Sequence, residues 1–125
     1  MIKYEGPGWR LASDFSKPYY SYLIGDDHWA VEVSKQEWEV LVQAVIELIE
    51  QHKKVKNQLM PEEKISLEFE KTPWWALLDG DKNSWSLKLI LNGESQNTRS
   101  AELYWPIPKA QLITSAMRTM WDSNQ

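Results

Sequence analysis

Apolar side chains recur at intervals of three and four residues between Ser34 and Lys53, which is the spacing of one face of an α-helix. The apolar positions are Trp38, Leu41, Val42, Val45 and Ile49, and the opposite side carries Glu39, Gln43, Glu47 and Glu50. Ser34 and Glu37 have the spacing of a capping box, in which each side chain accepts a hydrogen bond from the other residue's amide. The pattern predicts an amphipathic helix from Ser34 to about Lys53.

A second helix is predicted after the segment Pro106-Ile-Pro108. Proline is tolerated in the first turn of a helix, where its missing N–H group would have no partner. Apolar pairs then follow at a spacing of four residues, namely Leu112-Ile113, Ala116-Met117 and Met120-Trp121. This helix is also expected to bury one face.

Between Lys64 and Trp105 the apolar period is two, as in half-buried strands. The alternating apolar positions are Ile65, Leu67 and Phe69, then Trp85, Leu87, Leu89 and Leu91, then Ala101, Leu103 and Trp105. Asp79-Gly80 and Asn92-Gly93 supply residues that hairpin turns favour. The segment predicts a four-stranded antiparallel meander.

The first part of the chain predicts three strands, at residues 8–13, 19–25 and 28–33. Both halves therefore consist of strands followed by one helix, and an offset of 71 residues places Leu41 on Leu112. A polar segment containing Pro61 separates them. We predict an α+β fold in a single domain, 1–125, with two antiparallel sheets and two helices. It is internally duplicated, each pseudo-repeat (about 1–56 and 62–125) being a β-meander plus a helix. Leu41 and Leu112 are expected to be equivalent buried positions.

Two adjacent tryptophans, Trp74 and Trp75, lie in one predicted strand. Successive side chains on a strand point to opposite faces, so the two rings cannot enter the same core. Trp75 is in phase with Leu77, and Trp74 is in phase with Leu78. One ring is expected under the helices and the other on the outer face of the sheet, and the pattern leaves open which is which.

Composition excludes several classes of function. The 125 residues contain no cysteine, so disulfides, cysteine nucleophiles and thiolate metal sites are absent. The net charge of −4 provides no overall positive field for nucleic acid. The longest apolar runs fall far short of the roughly 20 residues of a membrane helix, and the first residues lack the apolar core of a signal peptide. We expect a soluble, cytoplasmic protein without a membrane partner.

The candidate chemical motifs are weak. Asp79–Asn83 resembles the start of an EF-hand loop, but Ser84 stands where glycine is needed and Ile90 where a bidentate glutamate is needed. His28 lies beside Asp27, and a neighbouring carboxylate can orient an imidazole for base catalysis. We interpret His28 instead as a solvated histidine in a turn. We predict no catalytic residue, no metal site and no cofactor.

A family resemblance rests on three motifs, Gly-Trp-Arg at 8–10, His-Trp-Ala-Val-Glu-Val-Ser at 28–34 and Trp-Ser-Leu at 85–87. With its repeated strands-then-helix unit, the chain resembles a small cyanobacterial family placed in the Whirly/Pur-alpha-like fold group. The resemblance implies helices crossing between two curved sheets, and it implies binding of single-stranded nucleic acid through the outer sheet faces. The basic strand Lys-Gly-Lys-Ala-Ala-Leu of Whirly proteins is absent, and the second meander instead starts with Glu68 and Glu70.

These observations predict a non-catalytic binding module. The expected contact residues are the outward member of Trp74 and Trp75, with Tyr20, Tyr22, Arg10, Lys88 and Arg99. Outward aromatics serve both as stacking platforms for bases and as anchors of protein interfaces. The first expectation is a protein partner, which includes a second copy of the chain in a homodimer. The alternative is single-stranded DNA or RNA.

Overall fold

The computed structural model describes residues 1–93 and 99–124. Its first unit consists of β1 (Ile2–Gly6), β2 (Trp9–Ser13), β3 (Tyr22–Gly25), β4 (Ala30–Val33) and α1 (Lys35–Val55), and a short 3-10 helix (Lys56–Gln58) follows. The second unit consists of β5 (Ile65–Lys71), β6 (Trp74–Gly80), β7 (Trp85–Leu91), β8 (Ala101–Trp105) and α2 (Lys109–Ser123). In the described residues the strands form two antiparallel sheets, β1-β2-β3-β4 and β5-β6-β7-β8. The predicted α+β class with two similar units is confirmed.

The first sheet differs from its prediction at three places. The prediction missed β1, although its residues alternate between apolar and charged side chains. The predicted strand 19–25 begins only at Tyr22, after a loop closed by a hydrogen bond from the Asp14 amide to the Ser21 carbonyl. The predicted strand 28–33 begins only at Ala30, because His28 is part of the preceding turn.

The capping box at the start of α1 is confirmed. The Glu37 amide donates to the Ser34 hydroxyl at 3.2 Å, and the Ser34 amide donates to the Glu37 carboxylate at 2.8 Å. The helix continues to Val55, slightly beyond its predicted end. It packs against β5 and β6, whereas α2 packs against β2 and β7 and therefore contacts both sheets. The core lies between the helices and the inner sheet faces.

Two buried tryptophans connect the units. The Trp74 indole N–H donates to the Glu37 carbonyl at 2.9 Å, joining the second sheet to the first helix. The Trp105 indole N–H donates to the Gly25 carbonyl at 3.1 Å, joining the second sheet to the first. Both rings are almost fully buried, and their N–H groups are satisfied. The chain contains eight tryptophans in 125 residues, and packing between the units explains two of them.

The helices correspond at an offset of 72 residues, and the predicted offset of 71 is wrong. The first helical hydrogen bonds, from Trp38 to Ser34 and from Ala110 to Pro106, are related by 72. Buried Trp38, Leu41, Val42, Ala44, Val45 and Leu48 of α1 correspond to buried Ala110, Ile113, Thr114, Ala116, Met117 and Met120 of α2. Leu112 is 47 % exposed, so its predicted equivalence with Leu41 is wrong. A change of one residue in the offset moves the compared position by about 100° around the helix axis, which is enough to exchange a buried position for an exposed one.

The same four-residue turn joins β3 to β4 and β6 to β7. In the first, one Asp26 carboxylate oxygen accepts from the amides of His28 and Trp29. In the second, one Asp81 oxygen accepts from the amides of Asn83 and Ser84 at 2.8 and 2.9 Å. The turn predicted at Asp79-Gly80 is therefore misplaced, because those residues end β6. Across residues 1–93 and 99–124, no cluster of three metal-ligating side chains is present.

The Asp81 turn leads to a prediction about pH. The amide hydrogen bonds from Asn83 and Ser84 hold the pKa of Asp81 below its usual range. A carboxylate with a lowered folded-state pKa contributes stability above its unfolded-state pKa, and that contribution is lost as the pH falls through its folded-state pKa. We expect Asp81→Ala to be less stable than the wild type near neutral pH. This difference should shrink on acidification below the unfolded-state pKa, as measured by urea unfolding; a difference independent of pH would contradict the prediction.

Candidate interaction face

The side chains of the second sheet that point away from the helices form a continuous outer face. Cross-strand pairing arranges them in rows: Glu70, Trp75, Ile90 and Glu102 form one, Glu68, Leu77, Lys88 and Tyr104 the next, and Ser66, Asp79 and Ser86 the third. Trp75, Leu77 and Ile90 are partly exposed at its centre. Tyr104 at the edge is 51 % exposed. We call this surface the Trp75 face.

The charge of the Trp75 face is acidic. Its rows contain the carboxylates of Glu68, Glu70, Asp79 and Glu102, and all four residues are exposed. The only cation in these rows is Lys88, whose ammonium lies 2.8 Å from the Glu102 carboxylate. An apolar centre is therefore surrounded by negative charge.

A depression of about 330 Å³ lies beside Trp75. Its lining consists of Glu70, Thr72, Pro73, Trp74, Trp75, Ile90 and Asn92. Glu70 and Trp75 are directly opposite each other on β5 and β6, where Cβ atoms are roughly 5 Å apart. The depression thus combines an aromatic ring and a carboxylate within the reach of one inserted side chain.

The two adjacent tryptophans point to opposite faces, as predicted. Trp74 is 1 % exposed and lies in the core, while Trp75 lies on the outer face with Leu77. Trp74 is therefore the inward member of the pair, and Trp75 is the one available for contact. The structure decides the point that the alternation left open.

Tyr22 does not point outward, so its prediction as a surface contact is wrong. It is 3 % exposed, and its ring stacks on Trp38 with centroids 4.7 Å apart. Burial raises the pKa of its hydroxyl. Tyr20 precedes the strand and is 38 % exposed.

The predicted arginines lie apart from the Trp75 face. Arg10 is on the first sheet, where its guanidinium donates to the Asp26 and Trp29 carbonyls at 2.6 and 3.1 Å. Arg99 donates to the carbonyl of Glu32 in β4 at 2.6 Å and forms an ion pair with the Glu37 carboxylate in the first turn of α1. Its guanidinium also lies 4.3 Å from the centre of the Tyr20 ring. Of the predicted contact residues, the Trp75 face contains only Trp75 and Lys88, while Arg99 and Tyr20 meet at a separate place.

Several residues of the Trp75 face were missed in the sequence as site residues. They are Glu68, Glu70, Leu77, Asp79, Ile90, Glu102 and Tyr104. The alternation within each strand assigns them to one of two faces. Only the register between strands shows that they surround Trp75.

The helices in the described residues are too short or too polar to cross a membrane. No curated protein matches the chain. The chain is similar to a protein from the cyanobacterium Prochlorococcus sp. NATL2A, whose crystal structure is described as that of a protein with unknown function from the DUF155 family. The two are 50 % identical with a TM-score of 0.92, over 97 % of this chain and 99 % of that one. Residues 4–120 match the family described as "Domain of unknown function (DUF1818)". Because this match spans most of the sequence, the chain belongs to the DUF1818 family.

Proposed function

We propose that the protein is a non-catalytic, cytoplasmic binding module that docks a basic protein surface on the Trp75 face. The observation that carries the proposal is the ring of four carboxylates around Trp75, Leu77 and Ile90, with Lys88 already paired with Glu102. Protein interfaces combine an aromatic or aliphatic centre with a polar rim. Negative charge on this rim favours a partner that carries lysine or arginine.

The depression beside Trp75 supports an arginine as the central contact of the partner. A guanidinium above the Trp75 ring gains a cation–π interaction, and the adjacent Glu70 carboxylate offers a charge-assisted hydrogen bond. Arginine and tryptophan are also enriched among the residues that dominate binding energy at interfaces. The partly buried environment of Trp75 strengthens both interactions relative to a fully solvated pair.

Single-stranded nucleic acid is the second candidate. It is favoured by the outward ring of Trp75 and by the sequence resemblance to a family placed in the Whirly/Pur-alpha-like fold group. A base stacked on an aromatic ring contributes roughly 1–3 kcal/mol. Phosphate binding, however, requires lysine or arginine along the backbone path. The four carboxylates of the Trp75 face would repel that backbone, so we rank this candidate second.

A fluorescence titration separates the two candidates. We expect a short arginine-rich peptide to quench tryptophan emission at low salt, and Glu70→Gln should weaken its binding by about 1–3 kcal/mol. The quenching should disappear in Trp75→Phe, which removes the reporter while keeping an aromatic ring. An exposed site outside the face provides the matched control, since Lys54→Gln should bind the peptide as the wild type does.

The same titration with a single-stranded oligonucleotide completes the test. We expect no quenching, because the face repels phosphate. If the oligonucleotide binds with a steep salt dependence and the peptide does not, the protein-binding proposal is refuted in favour of nucleic acid. If neither ligand binds, or if peptide binding is indifferent to Glu70→Gln, the assignment of the Trp75 face to a basic partner is also refuted.

A further inference from the structure

The first sheet ends in a strand whose outer edge has no partner in residues 1–93 and 99–124. There β1 pairs with β2 alone, so one row of its backbone N–H and C=O groups has no strand partner. Such edges are templates for pairing with another strand. The charges along an edge strand decide which strand it can accept.

The hydrogen-bonding phase of β1 follows from its neighbours. The Asp14 amide donates to the Ser21 carbonyl at 2.8 Å, which identifies a hydrogen-bonded pair at the end of the β2–β3 ladder. Because such pairs alternate along an antiparallel ladder, the backbone groups of Leu11 point to β1, where its partner is Tyr4. The residues on either side of Tyr4 therefore direct their backbone groups to the free edge.

Those two residues carry opposite charges. The side chains of Lys3 and Glu5 are 52 % and 51 % exposed on the outer face of β1. The Lys3 ammonium lies 3.5 Å from the Glu5 carboxylate of the same chain. Two copies of β1 can pair antiparallel with Tyr4 of one copy opposite Tyr4 of the other. Lys3 of each copy then lies opposite Glu5 of the other copy, which gives two opposite-charge pairs. Registers centred on Lys3 or Glu5 would instead oppose like charges. Only the register about Tyr4 satisfies both the hydrogen-bonding phase and the charges.

We propose that β1 is a self-complementary edge through which two copies of the chain form a two-fold symmetric dimer. The pairing joins the two first sheets into one sheet of eight strands. Opposite charges in directly facing positions stabilise cross-strand pairs. Each edge contributes the same residues to its partner, as a two-fold interface requires. The Trp75 face is on the other sheet, so this inference does not depend on the proposed function.

The other sheet edges are less suited to self-pairing. The backbone of β4 is contacted by Arg99, which donates to the Glu32 carbonyl at 2.6 Å. If two copies of β5 paired antiparallel about the middle of the strand, Glu68 would lie directly opposite Glu68 of the other copy. Glu70, two residues away on the same face, would add further negative charge. The strand β8 contains Glu102 but no lysine or arginine of its own, because the cation paired with Glu102 is Lys88 of β7. Complementary charge on a free edge is thus a feature of β1.

Charge reversal provides the test. Sedimentation over a concentration series should show a weak, reversible dimer, because a five-residue strand forms a small interface. Lys3→Glu or Glu5→Lys replaces two opposite-charge pairs by like-charge pairs and should weaken the dimer by roughly tenfold or more. The double variant, Lys3→Glu with Glu5→Lys, should restore it. Mixing the two single variants should also restore association, as a heterodimer. The exposed control Lys54→Glu should dimerise as the wild type does.

A cross-link checks the register independently. The chain has no cysteine, so Tyr4→Cys creates a single thiol that faces its own copy in a non-hydrogen-bonded pair. The Cα atoms of such a pair are about 4.5 Å apart, within the range of a disulfide. Mild oxidation should give a covalent dimer of this variant, while Lys3→Cys, displaced along the strand from its own copy, should not. A wild type that stays monomeric at every concentration, or a double variant that is not restored, would overturn the proposal.

Discussion

Replacing Trp74 with alanine should lower the free energy of unfolding by roughly 3–5 kcal/mol. The ring is 1 % exposed and lies between the second sheet and α1, so its loss leaves a large cavity. The substitution also removes the indole N–H that donates to the Glu37 carbonyl at 2.9 Å. Urea unfolding followed by circular dichroism measures the change.

The adjacent residue is the matched control. Trp75→Ala removes a ring of the same size from the outer face, where part of it is already solvated. Its loss should therefore cost only about 1–2 kcal/mol. Trp74→Phe, which keeps an aromatic ring but not the hydrogen bond, should fall between the two. Equal losses for both alanine variants would mean that the opposite orientation of the two rings is not maintained in solution.

Leu41→Ala and Ile113→Ala should each lower the free energy of unfolding by about 2–5 kcal/mol. The two side chains are fully buried and occupy equivalent positions on α1 and α2. Each substitution opens a cavity where its helix packs against the core. Chemical denaturation of the two variants measures the loss.

Leu112→Ala tests the offset between the two helices. The leucine is 47 % exposed and adjacent in sequence to Ile113, so its truncation should change stability by no more than about 0.5 kcal/mol. If Leu112→Ala lowered the free energy of unfolding strongly and Ile113→Ala only slightly, the offset of 71 residues would be supported instead. The three variants remove similar aliphatic groups, so their differences report burial.

The two proposed surfaces have different positions and different charge patterns. The Trp75 face is acidic and lies on the second sheet, while the β1 edge is balanced in charge and belongs to the first. A dimer formed through β1 would present two copies of the Trp75 face. A multivalent partner would then bind with increased avidity. Lys3→Glu should remove this gain and leave binding to a single arginine-rich peptide unchanged.

The sequence by itself determined the local structure wherever a pattern was long and uninterrupted. The capping box at Ser34 and the apolar stripe after it located α1, because both depend on residues close together in the chain. The alternation from Ile65 to Trp105 located the second sheet for the same reason. It also determined that Trp74 and Trp75 point to opposite faces, since this follows from the pleat of any strand.

Tertiary structure alone decided which face is inside. The alternation is unchanged if a strand is turned over, so Trp74 was placed in the core only by the packing of β6 against α1. Tyr22 is buried because Trp38 of α1 stacks on it, and Leu112 is exposed because contacts with both sheets set the rotation of α2. The acidic ring around Trp75 likewise arises from side chains on different strands. Their assembly depends on cross-strand register, which is a long-range property that no local pattern contains.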